Sequence, residues 1–466
     1  METDAGHFSA AWVTLALLAL MATWWVTEAV PIPVTSLLPI LVLPLFGISS
    51  ISQVSAPYMH PIVVLLMGGF IFAKAIEKWG LHERIALHAV RLAGGSPAGM
   101  IGGFMFAAAI LSMWISNSAT SIMMMPIALS VAAAYEKGLD DKPKNFTYAL
   151  LLGIAYACSI GGLGTPIGTP TNLIVLGYLN EHNNIDIGFA QWMMMGIPAV
   201  IILVPVAWFV LTRWVFKMPK YKAADAQKTV SDRLFDLGRM TVPEKRTLLV
   251  FLVIAALWAF RRPLNSLTIS YGGDLVTPLA GLTDHMTAIL AVLLCFLVPA
   301  GSKENKGQPL LDWKSAEQIP WGVLLLFGGG MSLAQAISST GLSTYLGTSL
   351  SMFSSYPVPV VIFLIAALVL ALTEVTSNIA TASALMPVLG ALAIETGLPL
   401  EMMAVPIALA ASCAFMLPMA TGPNAVVFAT GKVSLSTMAK AGVRINLIAV
   451  VVITAISYYI APIAFG

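Results

Sequence analysis

The chain has 466 residues, of which 58% are hydrophobic and 10% charged. So few charges cannot cover a soluble domain of this size, which places the chain in a membrane as an all-α polytopic protein. Its formal net charge of +2 excludes the strongly basic surface that nucleic-acid binding needs.

Residues 1–8 carry Glu2 and Asp4 but no Lys or Arg. The first apolar segment therefore lacks the basic flank of a cleaved signal peptide and is expected to be retained. Apolar segments follow at about 9–28, 34–48, 61–80, 99–134, 146–180, 190–216, 246–261, 284–299, 321–341, 357–396, 401–431 and 441–465. A straight span needs roughly 20 residues. Segments 99–134 and 357–396 are far longer, and each has a polar knot in its middle. Both read as re-entrant helical hairpins. Segments 146–180 and 401–431 are broken by Gly-Thr-Pro and Thr-Gly-Pro, and read as discontinuous helices unwound near the midplane. Such breaks are tolerated only where the backbone is buried in protein or lines a cavity.

Basic residues orient the map, because they collect on the cytoplasmic side. With the N-terminus outside, ten full spans and two re-entrant hairpins, 22 of the 24 bases fall inside. Only Arg261 and Arg262 fall outside. The cysteines Cys158, Cys295 and Cys413 lie in apolar segments and read as packing residues, not a disulfide framework.

The two knots are copies. Leu111–Pro126 aligns with Leu372–Pro387 at a shift of 261, matching Leu, Ser-Asn, Ala-Thr and Met-Pro. Gly68–Leu81 matches Gly329–Leu342 at the same shift, and Gly168–Asn172 matches Ala420–Asn424 at 252. By the basic-residue map, 61–80 runs inward and 321–341 outward, so the repeats are inverted, a transporter signature. The expected division is a first repeat at 1–216, a cytoplasmic linker at 217–245 and a second repeat at 246–466.

Each knot places helix ends at a hairpin tip. Helix N-termini suit a carboxylate. Helix C-termini and unwound turns offer carbonyls to a small hard cation such as sodium. Neither knot contains Lys or Arg, so an anion there depends on dipoles, amides and co-bound cations. Small polar residues can also serve only close helix packing, but two knots at matched positions, each beside a break carrying Asn, favour a ligand site.

These blocks, with Trp25–Pro31, resemble the divalent anion/sodium symporters, the dicarboxylate/citrate transporter family. The resemblance implies a homodimeric elevator transporter in the cell membrane, driving uptake of a di- or tricarboxylate with Na⁺. It implies one sodium at Ser112, Ser116, Asn117 and Gly168, and a second at Thr373, Thr376, Asn378 and Ala420. It implies substrate contacts from Ser116, Asn117, Ser118, Thr169, Pro170, Ser377, Asn378, Thr421 and Gly422. Two departures stand out. The third motif residue, commonly Thr, is Ser118 in one copy and Ile379 in the other. Many members also begin one helix earlier.

The loss of a hydroxyl at Ile379 leads to an expected preference for a C4-dicarboxylate such as succinate, malate or fumarate. A sodium-independent exchanger, or a carrier of citrate or sulfate, is the alternative on the same fold. An enzyme is not expected, because no nucleophile–base pair or metal cluster is visible. Glu28 and Glu374 sit in apolar surroundings, where acids are functional suspects; Glu374 reads better as a structural acid. His82 and His88 lack zinc spacing. The glycines of 161–168 lack the Lys and Ser/Thr of a phosphate loop.

Overall fold

The computed structural model describes residues 9–136, 144–183, 187–218, 224–271, 274–301, 307–345 and 356–465. Nearly every apolar segment is helical. The helices used below are α1 (Ala10–Thr27), α2 (Leu38–Leu45), α3 (Pro61–Lys78), α4 (Leu81–Leu92), α5 (Pro97–Ser112), α6 (Asn117–Glu136), α7 (Asn145–Gly161), α8 (Pro170–Asn183), α9 (Phe189–Phe209), α10 (Ala224–Asp236), α11 (Val242–Ala259), α12 (Asp284–Leu297), α13 (Trp321–Ser339), α14 (Val358–Thr373), α15 (Asn378–Thr396), α16 (Leu400–Ser412), α17 (Gly422–Ala429) and α18 (Leu435–Tyr459).

Both long segments fold as helix pairs joined by a four-residue bend. The first is α5–α6 and the second α14–α15. Pro97 opens α5, and Ser96 caps it by accepting from the Gly99 N–H at 3.1 Å. Proline suits that first turn because its missing N–H would have no helical partner there. Both predicted broken helices are also broken: α7 and α8 are separated by 162–169, and α16 and α17 by 413–421.

The first halves of the broken helices form the centre. Between Phe146 and Gly161 every α7 residue except Tyr148 is buried, and α16 is buried from Met403 to its end. A helix apolar on all sides belongs in such a place. The arms α5 and α6 pack on α7, and α14 and α15 pack on α16. The second halves cross over: α8 packs on α15 and α16, while α17 packs on α6 and α7. Each half of the chain thus completes the other's hairpin.

A second group of helices flanks this core. Helix α3 packs on α12, α11 packs on α12, and α1 and α13 pack on α15. A separate small apolar cluster joins Met21 and Trp25 of α1 to Leu43 of α2 and to Leu326 and Leu333 of α13. Trp25 is fully buried and donates through Nε1 to Ser36 Oγ at 3.2 Å, so it is a packing residue. Segment 34–48 is more irregular than a straight span. It breaks at Ser36–Leu37 into Ile32–Thr35 and α2, and α2 alone, at 1.5 Å per residue, is only about 12 Å long.

The described part of the stretch expected as a linker is folded. Helix α10 packs on α4 and α6. Arg84 of α4 forms a buried ion pair with Glu244 at 3.0 Å and donates to the carbonyls of Leu237 and Gly238. The loop after α11 begins with the short helix Arg261–Asn265 and continues into a two-stranded ribbon, Ile269–Tyr271 with Asp274–Val276. Arg261 is buried against Asp284 at 3.4 Å, and Asp284 also accepts from the Phe189 N–H at 2.7 Å.

Candidate functional site

The two hairpin bends and the two unwound loops meet at one cavity of about 790 Å³. Every residue for which the family resemblance implies a substrate contact lines it: Ser116, Asn117, Ser118, Thr169, Pro170, Ser377, Asn378, Thr421 and Gly422. Gly168, Thr376 and Ala420 of the expected sodium sets line it too. Ser112 and Thr373 do not. They are fully buried directly behind the tips.

Four helices begin at this cavity. Helix α6 starts at Asn117, and Ser116 Oγ accepts from the Ala119 N–H at 3.3 Å. Helix α15 starts at Asn378, and the Ser377 carbonyl accepts from the Thr381 N–H at 2.9 Å. Helix α8 starts at Pro170 behind Thr169, and α17 starts at Gly422 behind Thr421, whose Oγ1 accepts from the Asn424 N–H at 3.3 Å. Each helix N-terminus carries roughly half a positive charge, worth about 0.3–1 kcal/mol to a nearby anion and up to about 2 kcal/mol when partly buried. Taking an ion out of water costs several kcal/mol. Four such dipoles favour an anion in the cavity, and none of the described lining residues is a Lys or Arg that would add a full positive charge.

Oxygen-rich pockets lie behind the tips. Ser112 Oγ donates to Asn117 Oδ1 at 2.6 Å. The same carboxamide atom of Asn117 is 3.1 Å from the Cys158 carbonyl oxygen and 3.3 Å from the Gly168 carbonyl oxygen. Turned with nitrogen inward, the amide donates to all three; turned with oxygen inward, four oxygens converge. The latter is a donor set suited to a hard monovalent cation. The second copy repeats the core of this: Thr373 Oγ1 donates to Asn378 Oδ1 at 2.8 Å and to the Ala411 carbonyl at 2.9 Å. Thr376 Oγ1 lies 2.6 Å from Thr381 Oγ1.

Two asparagines that the sequence did not single out as site residues hold the loops in shape. Asn172 Nδ2 donates to the carbonyls of Gly162 and Thr165, both at 2.8 Å. Asn424 Nδ2 donates to Ala414 and Leu417, at 3.1 and 3.0 Å. All three positions correspond at the shift of 252. An unwound loop has carbonyls without helical partners, and one buried amide satisfies two of them. The signal was present in the paired Asn of the breaks, but whether such an amide faces a ligand or its own loop depends on a side-chain direction that a sequence does not give.

Glycines stand where the tips touch the loops most closely. A Cβ on Gly162 would fall 2.5 Å from Asn117 Oδ1, and one on Gly422 would fall 1.9 Å from Ser118 Oγ.

The acids have different roles. Glu374 is the counterpart of Met113 at the shift of 261. Its carboxylate accepts from the N–H groups of Phe415, Met416 and Leu417 at 2.9–3.1 Å and from Asn446 Nδ2 at 2.5 Å. It anchors the second unwound loop, a structural acid as the sequence suggested. In the first copy that anchor is different: Thr165 Oγ1 donates to the Met113 carbonyl. Glu28 instead lines the cavity. It ends α1 at φ 51°, ψ 27°, the only non-glycine at positive φ among the described residues. That conformation costs a side chain about 1–2 kcal/mol.

Besides the tips and loops, the cavity is lined by Val26, Thr27 and Glu28 at the end of α1, Phe70 of α3, and Pro320 and Val323 at the start of α13. Ile379 also lines it.

Residues 3–464 match the family described as the sodium:sulfate symporter transmembrane region. The chain is 40% identical over 469 residues to a sodium-dependent dicarboxylate transporter, SdcS, of Staphylococcus saprophyticus, covering 100% of this chain and 88% of that protein. The SdcS of Staphylococcus aureus is 40% identical over 459 residues, covering 97% and 86%. Among solved structures, the YdaH transporter of Alcanivorax borkumensis superposes with a TM-score of 0.59 at 14% identity, covering 97% of both chains. MtrF of Neisseria gonorrhoeae gives 0.61 at 13% identity, covering 99% and 96%. These two likenesses show the fold alone. The chain belongs to the sodium:sulfate symporter family, the divalent anion/sodium symporters that its doubled Ser-Asn motif resembles.

Proposed function

We propose that this protein couples inward sodium movement to uptake of a C4-dicarboxylate. The observation that carries the reading is the convergence of four helix N-termini on one cavity without a basic residue, with oxygen-rich pockets immediately behind two of the tips. The anion takes the N-termini: Ser116, Asn117 and Ser118 with Thr169 and Pro170 on one side, and Ser377 and Asn378 with Thr421 and Gly422 on the other. One sodium takes Ser112, Ser116, Asn117 and Gly168; the other takes Thr373, Thr376, Asn378 and Ala420. The pairing of charges supplies the coupling, because the dianion is held only where cations offset its dehydration. The sodium-dependent dicarboxylate transporters at 40% identity support this substrate class.

The two halves act as inverted repeats in an elevator, in a homodimer of the cell membrane. Tips, broken helices, α9 and α18 form the moving body, and α1–α4 with α11–α13 form the scaffold. A cavity lined by both groups supports that division. Its scaffold lining comes from the end of α1 and the start of α13, the cytoplasmic ends when the N-terminus lies outside. The cavity then opens inward. Orientation is directly testable. A cysteine replacing exposed Ser55 should react with an impermeant thiol reagent applied outside intact cells, and one replacing exposed Lys228 should not. Neighbouring Ala226 is fully buried and unsuited to such a test. Labelling at position 228 from outside would overturn the orientation.

A second reading takes sulfate, which the family description names, or citrate as substrate. Ile379 bears on citrate. It presents an apolar wall beside Asn378, where a third carboxylate would lose water without gaining a partner. Succinate should therefore outcompete citrate. Ile379→Thr should improve binding of a bulkier or more polar acid relative to succinate by about 0.5–1.5 kcal/mol, one added neutral hydrogen bond. Competition curves on both proteins decide this; citrate outcompeting succinate on the unmodified protein would remove Ile379 from the substrate's reach.

A further inference from the structure

A cavity that must admit a multiply charged anion has, among the described residues, one ionisable residue in its lining, and that residue is an acid, Glu28. It comes from the scaffold side, at the end of α1. Its backbone is left-handed, a conformation that Gly or Asn adopts more easily. Strain of this kind persists where the surroundings impose it and clusters at functional positions. Here Trp25, three residues earlier, is locked by burial and its bond to Ser36, and Pro31 follows three residues later. The turn is therefore fixed, and it holds a carboxylate at the edge of the cavity. No salt bridge or hydrogen bond of this carboxylate to another side chain is found among the described residues, and the residue is exposed.

We propose that Glu28 is a charge filter at the mouth of the substrate cavity. Its carboxylate disfavours each anion in proportion to that anion's charge, so it sets the discrimination between di- and tricarboxylates. It also hastens release on the side to which the cavity opens. This deepens the proposed function and rests on the cavity being the substrate site. Repulsion between fixed charges scales with the product of the charges and is screened by salt. A side chain that only shapes the turn would have neither property.

The test uses the full-length protein, purified and reconstituted, with three competitors of labelled succinate: citrate as a trianion, unlabelled succinate as a dianion and succinamate as a monoanion. Glu28→Gln and Glu28→Asn remove the charge, and Asn also accepts the left-handed backbone. Both should tighten binding by about two- to threefold per unit of substrate charge, the size expected at roughly 10 Å in a partly aqueous medium. Citrate should therefore gain on succinate, and succinate on succinamate, with the gains shrinking at high salt. Glu28→Asp should keep the unmodified ranking. Equal shifts for all three competitors, or no shift, would overturn the filter. If unmodified protein fails to bind succinate at all, the assignment of the cavity has failed instead. If Glu28→Gln does not fold, Glu28→Asn and Glu28→Asp still compare a neutral with a charged turn.

Discussion

Asn117→Ala should remove most sodium-driven uptake while leaving the folded protein intact. Asn117 opens α6 at the cavity, and its carboxamide is shared among Ser112 Oγ, the Cys158 carbonyl and the Gly168 carbonyl. One carboxamide thus reaches the oxygen-rich pocket and the cavity together. A lost hydrogen bond to a charged group costs about 1.5–3 kcal/mol, which is about a 10- to 150-fold loss of apparent affinity. If one amide serves both ligands, the affinities for sodium and substrate should fall together. Asn378→Ala should do the same through the second copy, where Thr373 is the partner. The helices themselves should survive, since α5 and α6 are held by their packing on α7. Uptake assays with thermal melting of the detergent-purified protein check both halves. Unmodified uptake by a stable Asn117→Ala protein would remove the first tip from the site.

Glu374→Ala should have the opposite signature, a large loss of stability that brings transport down with it. The carboxylate accepts from three consecutive N–H groups, Phe415, Met416 and Leu417, in a loop that has no helical bonds for them. Removing it leaves these donors and Asn446 without their acceptor, at about 1–3 kcal/mol for each buried orphan. Glu374→Gln keeps one acceptor oxygen and should fall between. A full-strength melting transition in Glu374→Ala would show that the loop is held by other contacts, of which Tyr156 is the nearest candidate, donating to the Phe415 carbonyl at 2.8 Å.

The hairpin bends and the breaks were legible in the sequence, because each combines a length too great for one span with a polar interruption that a bilayer cannot leave unpaired; the individual tip residues came from the family resemblance, which did not include Val375 of the second bend. Doubling made the interruptions unmistakable. What was not legible depends on directions in space. The sequence showed two tips but not that α8 and α17 cross between the halves to bring two further N-termini to the cavity. Asn172 and Asn424 turn inward to their own loops, although composition makes them equal candidates for a ligand. Glu28 and Glu374 are the same residue type in similar apolar surroundings, yet one binds three amides and the other faces the cavity. The linker read as polar chain, while its amphipathic helix α10 docks on α4 and α6.

If the cavity holds a dianion only together with cations, uptake of labelled succinate into proteoliposomes should depend on an inward sodium gradient. With the gradient, uptake should be concentrative, competed by unlabelled succinate more strongly than by citrate, and lost in Asn117→Ala. Equal uptake with potassium in place of sodium would contradict this dependence and leave an anion exchanger on the same fold.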